Sequence, residues 1–366
     1  MTTPKLAIVG AGSMADYHCK GFSRAGAEVV AIADMDTSRA RAFGEGRGIK
    51  HFYKDLSEMI AAHPDLDAVS VITPNKFHKP LVIEALEKGK HVYCEKPPAL
   101  NAAEMRAMLE ASKKSGKILM FDFNNRARPE AQAIFRYIRD GRVGKINSAQ
   151  ASWIRRAGIP GFGGWFTTRA LSGGGPVIDL PHMLDLALWF MGYPEPEYLL
   201  GSAYYDFIDN KAFKGPWGIP DSANSVTDVE AACHGMVTFK TGQSLMVRSS
   251  WAEMNEREVV SVTFQGTKMG GKVERFFGID GLDETSIDSC KLFAEEYGNQ
   301  VDLAIKTKKD ESMGRINNAA NFVDAIQGIA PPMNSPEQAL ILMRIIDALY
   351  ESAASKKPVS MRETGS

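Results

Sequence analysis

The chain has 366 residues, 44% of them hydrophobic and 24% charged, an ordinary globular composition with room for two domains of roughly 150 residues each. Lys plus Arg number 43 and Asp plus Glu 44, so the formal net charge is −1 and no basic excess exists to neutralise a nucleic-acid backbone. Cys19, Cys94, Cys233 and Cys290 lie far apart, with no CxxC pair and no Cys/His cluster at zinc spacing, which excludes a disulfide scaffold and offers no metal site.

No run approaches the roughly 18 apolar residues of a membrane span. Met1–Lys5 leads straight into a short apolar run, without the basic and long apolar regions of a signal peptide. With widely spaced cysteines pointing to a reducing compartment, the expectation is a cytoplasmic protein with neither nucleic-acid nor membrane partners.

Along the first 125 residues, short β-rich runs occur at Leu6–Val9, Val29–Ala33, Ala68–Ile72, His91–Tyr93 and Ile118–Phe123. Amphipathic stretches such as Leu81–Lys88 and Ala102–Ser115 lie between them. Strands alternating with helices predict a parallel sheet with right-handed crossovers, and runs without clean alternation fit strands covered on both faces. After Asn125 the pattern changes. Pro129–Asp140 predicts a helix stopped by Gly141, and Lys145–Ile154 a strand. Gly158–Gly175 reads as a long Gly- and aromatic-rich loop, and Val177–Phe190 as a helix with Gly192 as its stop signal. Ala231–Phe239, Ser244–Trp251 and Glu258–Gln265 are strand candidates, the first two joined by a hairpin turn at Thr238–Gly242. Phe276–Glu311 is polar and unassigned, and Asn317–Gln327 and Pro336–Ser355 are helical. The expected architecture is an α/β domain with a parallel sheet over residues 1–125, followed by an α+β domain with a mostly antiparallel sheet over 126–366.

Residues 10–15 read Gly-Ala-Gly-Ser-Met-Ala, a G-x-G-x-x-A turn between the first strand and a helix. Gly10 allows the tight turn, Gly12 lets a pyrophosphate approach the backbone, and Ala15 lets the helix pack close. Ser13 and Met14 complete the turn, and the helix N-terminus offers free N–H groups and a positive dipole end. Asp34 ends the second strand 24 residues after Gly10, where a carboxylate can bind ribose hydroxyls and repel a 2′-phosphate. NAD is therefore favoured over NADP, although Arg39 leaves NADP open.

Two further polar clusters follow strands of the same sheet: Thr73-Pro74-Asn75 with His78, and Cys94-Glu95-Lys96-Pro97-Pro98. Ligands of open parallel sheets gather at the carboxyl ends of strands, so Thr73, Asn75, His78 and Glu95 become cofactor-edge candidates and Lys96 a candidate catalytic group. By residue type alone, Lys96 reads as a solvated turn lysine and His78 as a helix-capping histidine.

These segments resemble the Gfo/Idh/MocA oxidoreductases, the family of glucose–fructose oxidoreductase and inositol dehydrogenase. The resemblance rests on Gly10-Ala-Gly12, Thr73-Pro74-Asn75 with His78, and Glu95-Lys96-Pro97. It continues through Gly173-Gly174-Gly175, Asp179, His182 and Asp185 to Ala348-Leu349-Tyr350-Glu351-Ser352. It implies an α/β Rossmann domain over residues 1–125 and an α+β domain with an open sheet over 126–366, with the C-terminal helix 336–355 packing back on the first domain. It further implies hydride transfer between a nicotinamide and a sugar, cyclitol or related polyol, and a homo-oligomer formed through the second-domain sheet. It also implies that Lys96 sits near the reacting hydroxyl and that His182 and Asp179 complete the site. The family commonly spaces this aspartate and histidine four apart; here they are three apart, with Pro181 between them, whereas His182 and Asp185 keep the usual spacing.

An imidazole titrates near neutrality, which suits His182 as the base for the hydroxyl proton, with Lys96 stabilising the developing alkoxide and Asp179 orienting the ring. Without the resemblance, His182 reads as a core histidine. Asn124, Asn125 and Arg126 follow the sixth strand, and Arg155, Arg156 and Trp165 lie in or beside the aromatic loop. Amides, guanidinium groups and ring faces of this kind bind sugars, and a loop packed by its own aromatics is an equal alternative. The insert Tyr204–Asn224, with Trp217, suggests a substrate larger than a monosaccharide. The specific expectation is oxidation of a ring hydroxyl, such as the 3-hydroxyl of a glucoside. Cyclitol oxidation and a non-catalytic dinucleotide sensor are the alternatives.

Overall fold

The computed structural model describes residues 3–223, 226–276 and 289–361. In chain order the first elements are β1 (Lys5–Val9), α1 (Ala15–Arg24), β2 (Glu28–Ala33), α2 (Thr37–Glu45), β3 (His51–Tyr53), α3 (Leu56–Ala62), β4 (Ala68–Val71), α4 (His78–Glu87), β5 (His91–Cys94), α5 (Ala102–Ser115) and β6 (Leu119–Phe121). Then come α6 (Pro129–Arg139), β7 (Ile146–Ile154), α7 (Arg169–Ser172), α8 (Pro181–Met191), β8 (Pro196–Tyr204), β9 (Ala232–Phe239), β10 (Ser244–Ser250), β11 (Val259–Gly266), β12 (Met269–Arg275), β13 (Ser289–Glu296) and β14 (Asn299–Ala304). The chain closes with α9 (Arg315–Ile326), α10 (Pro336–Ser355) and β15 (Val359–Ser360).

The chain divides into two units, 1–127 with 312–340 and 128–311 with 341–366. The first holds a parallel sheet of order β3-β2-β1-β4-β5-β6. Its central strands are buried along nearly their whole length, which accounts for their unbroken apolar runs. The short β3, which the sequence reading passes over, is half exposed and lies at the edge. The segment that returns to this unit is 312–340: α9 packs on α1, and Phe322 and Val323 join Leu6, Phe22, Tyr93 and Met120 in one core. Only the first turn of α10 belongs here; the rest of that helix lies in the second unit.

The second unit is a nine-stranded sheet of order β14-β13-β12-β11-β7-β10-β9-β8-β15, antiparallel except where β7 meets β10. Helix α8 packs on β7 and β11, and α6 on β12 and β13. The polar stretch 276–311 contains the hairpin β13–β14, turned at Tyr297-Gly298 with positive φ at both residues; residues 277–288 of it lie outside the described ones. The helix expected over 177–190 is two elements. Pro176–Ile178 is a single 3-10 turn, and α8 starts at Pro181, whose missing N–H fits only the first turn of a helix.

Candidate active site

In the first unit, β1 delivers the chain into Gly10, whose φ is +100° and whose N–H donates to the Ala33 carbonyl at 2.8 Å. A Cβ on Gly10 would lie 2.3 Å from the Ile72 carbonyl oxygen, so the turn admits only glycine. At Gly12 the nearest atom to an added Cβ is 3.7 Å away. Packing therefore does not require glycine there, and the space is open to a ligand. Ser13 is exposed, Met14 is the N-cap of α1, and Ala15 is buried under it. Asp34 accepts from Ala11 N through Oδ2 and from Asp36 N through Oδ1, both at 2.9 Å. Each oxygen keeps a lone pair for a hydroxyl donor. Thr73 Oγ1 is buried and finds no hydrogen-bond partner among the described residues, as a group awaiting a ligand does. Asn75 is buried in the turn that follows. Open space at Gly12, a helix N-terminus without a side-chain cap, a carboxylate after β2 and an orphaned hydroxyl fit a dinucleotide.

Lys96 follows β5 and is half buried, between Glu95 and Pro97. Glu95 is turned inward: Oε1 lies 3.1 Å from His18 Nε2 on α1, and Oε2 accepts from Lys96 N at 3.1 Å. His18, wholly buried, also has Nδ1 2.8 Å from Ser70 Oγ and Nε2 3.8 Å from Asp122 Oδ2. Asp122 Oδ1 accepts from Tyr93 Oη at 2.8 Å and from Asn318 Nδ2 at 2.9 Å. Burial works to lower the His18 pKa, but hydrogen bonds to and charge on Asp122 and Glu95 outweigh it and raise it to about 9. Burial works the other way on Asp122, and His18 holds that carboxyl below the ordinary range. The cluster sets a buried imidazole between two carboxyl groups, an arrangement that favours its protonated form.

His78, expected beside the cofactor, is also wholly buried, with Nδ1 2.9 Å from the Pro97 carbonyl and Nε2 2.9 Å from the Thr73 carbonyl. Both ring nitrogens are thus turned to backbone acceptors. Burial pushes its pKa below the ordinary value, against the pull of the two carbonyls. Asn124 donates to the Met313 carbonyl at 2.6 Å. Arg126, with no exposed surface, donates to the Met333 carbonyl at 2.6 Å and to Gln338 Oε1 at 2.9 Å. Both were expected at the substrate; the structure engages these donors with the returning segment.

In the second unit, Asp179 lies just before α8 and His182 in its first turn, so their spacing of three is not a helical face. Asp179 Oδ2 accepts from Trp251 Nε1 at 2.8 Å. The His182 ring stacks on Trp153, centroids 5.1 Å apart and planes 29° apart. Asp185 accepts from Tyr193 Oη at 2.5 Å. At the glycine run before α8, the carboxylate of buried Glu230 accepts from Gly175 N at 2.9 Å, Val177 N at 3.3 Å and Tyr350 Oη at 2.9 Å. An added Cβ would lie 1.9 Å from Tyr350 Oη at Gly174 and 2.2 Å from the Glu230 carbonyl at Gly175. The glycine run is therefore a packing demand at the entry to α8. Burial pushes the Glu230 pKa up, against its three donors.

Trp165 stacks on Phe166 at 3.8 Å, Phe166 meets Trp217 edge-on at 5.9 Å, and Trp217 meets Trp251 at 6.5 Å. The insert carrying Trp217 is zipped to the aromatic loop: Gly215 N donates to Ile159 O at 2.9 Å and Ser222 N to Phe162 O at 2.8 Å. Asn224, at the end of that insert, lies outside the described residues. Arg155 is buried against Glu258, with Nη1 and Oε2 3.0 Å apart.

His18, Ser70, Asp122, Asn318, Glu230 and Trp251 are the residues that sequence reasoning does not single out. One signal exists: His18 falls on the face of α1 carrying Ala15, Cys19 and Phe22. A polar side chain on such a face must have a buried partner.

A family model described as the NAD-binding Rossmann fold of an oxidoreductase family, Gfo/Idh/MocA, matches residues 5–123, and the model of its C-terminal alpha/beta domain matches 136–361. The chain belongs to the Gfo/Idh/MocA oxidoreductase family. Its relatives include a D-glucoside 3-dehydrogenase of Escherichia coli (strain K12), 31% identical over 98% of this chain and 97% of that protein. An inositol 2-dehydrogenase of Rhizobium meliloti (strain 1021) is 34% identical over 98% and 99%. Among solved structures, a levoglucosan dehydrogenase in complex with NADH superposes with a TM-score of 0.84 at 20% identity, covering 99% of this chain and all of that one, a likeness of fold. The first unit is an NAD-binding Rossmann domain, and the protein is an oxidoreductase.

Proposed function

We propose that this protein oxidises a secondary ring hydroxyl of a sugar or glycoside, with the 3-hydroxyl of a glucoside as the specific target. The observation that carries this is the end-to-end likeness to D-glucoside 3-dehydrogenase. Bound NAD supplies the acceptor for the hydride leaving the carbinol carbon. The turn 10–14, Asp34, Thr73 and Asn75 hold the dinucleotide. His182 takes the hydroxyl proton, Lys96 stabilises the developing alkoxide, and Asp179, steadied by the Trp251 N–H, orients the imidazole. Trp165, in the aromatic row, offers a ring face to the C–H surface of a pyranose, whereas Asn124, Arg126 and Arg155, buried and engaged with protein groups, act as supports rather than sugar contacts.

The test is the absorbance of the reduced nicotinamide while glucosides, free sugars and inositols are added with NAD. A rise confined to glucosides, with a 3-keto product, supports the proposal. A rise confined to inositols makes the protein a cyclitol dehydrogenase, the second reading, supported by the inositol 2-dehydrogenase relative. No rise with any of them sinks both.

The same proposal includes a cytoplasmic setting, which four free, buried thiols support. No helix among the described residues is long and apolar enough to cross a membrane. It also includes a homo-oligomer formed through the second-domain sheet. Leu200, Met236 and Met246 align across β8, β9 and β10 and are 54%, 49% and 51% exposed. A contiguous apolar row on an open sheet fits a second copy of the chain. Light scattering of a Met236→Lys variant checks this: a smaller particle than wild type supports it, and a wild-type particle of one chain sinks it.

A further inference from the structure

The residues on either side of Lys96 are each gripped by a different buried histidine. Glu95, before it, has its carboxylate on His18 Nε2 at 3.1 Å. Pro97, after it, has its carbonyl on His78 Nδ1 at 2.9 Å. Each histidine is in turn fixed at its other nitrogen, His18 by Ser70 Oγ at 2.8 Å and His78 by the Thr73 carbonyl at 2.9 Å. Ser70 lies on β4 and Thr73 just beyond it, so both clamps run from the neighbouring strand to the end of β5. Glu95 Oε2 closes the arrangement by accepting from the Lys96 N–H itself.

We infer that His18 and His78 are positioning residues for Lys96: two buried imidazole clamps, one on each flanking residue, that fix the backbone from which the lysine reaches the reacting hydroxyl. Neither touches substrate or cofactor, because neither has exposed surface. The assignment rests on the proposed role of Lys96. A lysine side chain has four rotatable carbons, so its ammonium is placed well only if its Cα is placed well. Misplacement of a reacting group by about 1 Å costs on the order of 100-fold in rate. The two clamps differ chemically. The His18 clamp is an ion pair inside a cluster with Asp122. The His78 clamp lies between two carbonyls, which can only accept; burial lowers its pKa, and the neutral ring carries one N–H, so one of the two contacts at a time is a hydrogen bond.

The experiment compares His18→Gln, His78→Gln, His78→Leu and Lys96→Met in the full chain, with NAD affinity, folded fraction and the pH profile of kcat measured for each. Lys96→Met is expected to bind NAD and not turn over. His78→Leu is expected to lose about 10- to 100-fold in kcat, with a limb of the pH profile of kcat displaced. His78→Gln, which keeps one donor, should recover part of the rate, and His18→Gln should displace the same limb. Dividing each rate by the folded fraction measured at the same pH removes the effect of a mere loss of folded protein and leaves the limb in place. If Lys96→Met turns over normally, the role of the lysine itself is wrong. If Lys96→Met is dead while the histidine variants stay within twofold of wild type, or lose rate without displacing the limb, the clamps are wrong. Should the histidine variants not fold, the wild-type holoenzyme labelled with 15N-histidine decides. Both histidines should then show ring N–H protons that persist in deuterated water, and rapid exchange at either one overturns the inference.

Discussion

The two units hold their candidate catalytic groups by different physics. In the first, Lys96 stands at the carboxyl end of a parallel strand, and what surrounds it is polar and buried: an imidazolium between Glu95 and Asp122, and a second imidazole between two carbonyls. In the second, Asp179 and His182 lie at the entry to a helix and are held mainly by rings and close packing: Trp251 on the aspartate, Trp153 on the histidine, and a glycine run pressed onto Glu230 and Tyr350. A site built from buried charge should respond to pH, and one built from close packing should respond to volume.

The largest effect should come from volume. Gly175→Ala places a Cβ 2.2 Å from the Glu230 carbonyl oxygen, a backbone atom with no rotamer to change. The expected loss is about 3 kcal/mol or more of stability, because the 3-10 turn before α8 must move. Urea denaturation of the variant measures it. A loss below about 1 kcal/mol would mean the entry to α8 is softer than its packing shows.

The charged cluster should answer to pH. The folded pKa of His18, raised to about 9 from 6.5, lies above its unfolded value. Between those values the folded chain holds a proton that the unfolded chain has released, so stability falls as pH rises. The contribution is full below about pH 6.5 and lost as pH climbs through about 9, and it amounts to about 3 kcal/mol. Asp122, whose folded pKa is lowered, acts at the other end: its contribution is present above its unfolded pKa and lost in acid. Between about pH 7 and 8.5 the urea midpoint of wild type should decline more steeply than that of His18→Gln, because the four buried thiols, whose pKa values burial raises, add their own decline only nearer about pH 9. Equal slopes in the two proteins would remove the imidazolium from the cluster.

The difference between the units also explains what the sequence could disclose. The G-x-G-x-x-A turn, Asp34 and the polar strand ends of the first unit are local patterns, and each lies on the element its spacing predicts. Partners from distant segments have no such pattern: His18 meets Glu95 across 77 residues, and Asn318 meets Asp122 across 196. In the second unit, β12 begins with Met269-Gly270-Gly271, which reads poorly as a strand, and glycine stands there because the Phe264 ring covers it. The two-residue turn at Tyr297-Gly298 gives little signal in the polar stretch 276–311, because a tyrosine rarely takes the positive φ it has there. The family's glycine run and its C-terminal tyrosine meet at Glu230, a contact between three segments that none of them reveals alone.

A smaller effect tests the aromatic side. Trp251→Phe keeps an aromatic ring, smaller than the indole, and removes the N–H that donates to Asp179 at 2.8 Å. A hydrogen bond to a charged group contributes about 1.5–3 kcal/mol, so the variant should lose about 2 kcal/mol of stability. If Asp179 orients His182, kcat should fall about tenfold with NAD affinity unchanged. An unchanged kcat would separate Asp179 from the chemistry and leave it a structural residue of the α8 entry.

The smallest effect on the fold should be the largest on the cofactor. Gly12→Ala adds the same methyl group as Gly175→Ala, but nothing lies within 3.7 Å of it, and the backbone there is not in the left-handed region. Stability should change by no more than about 0.5 kcal/mol. NAD affinity should nonetheless fall about 10- to 100-fold, because the methyl group would occupy the space a pyrophosphate needs to reach the turn. Denaturation together with a fluorescence titration of reduced cofactor separates the two quantities. If affinity is unchanged, the open space at Gly12 is not where the phosphates lie. If both stability and affinity fall, Gly12 serves the fold as Gly175 does. Lost binding with intact folding is the pattern expected of a glycine kept for a ligand, and it would set this turn apart from the packed glycines of the second unit.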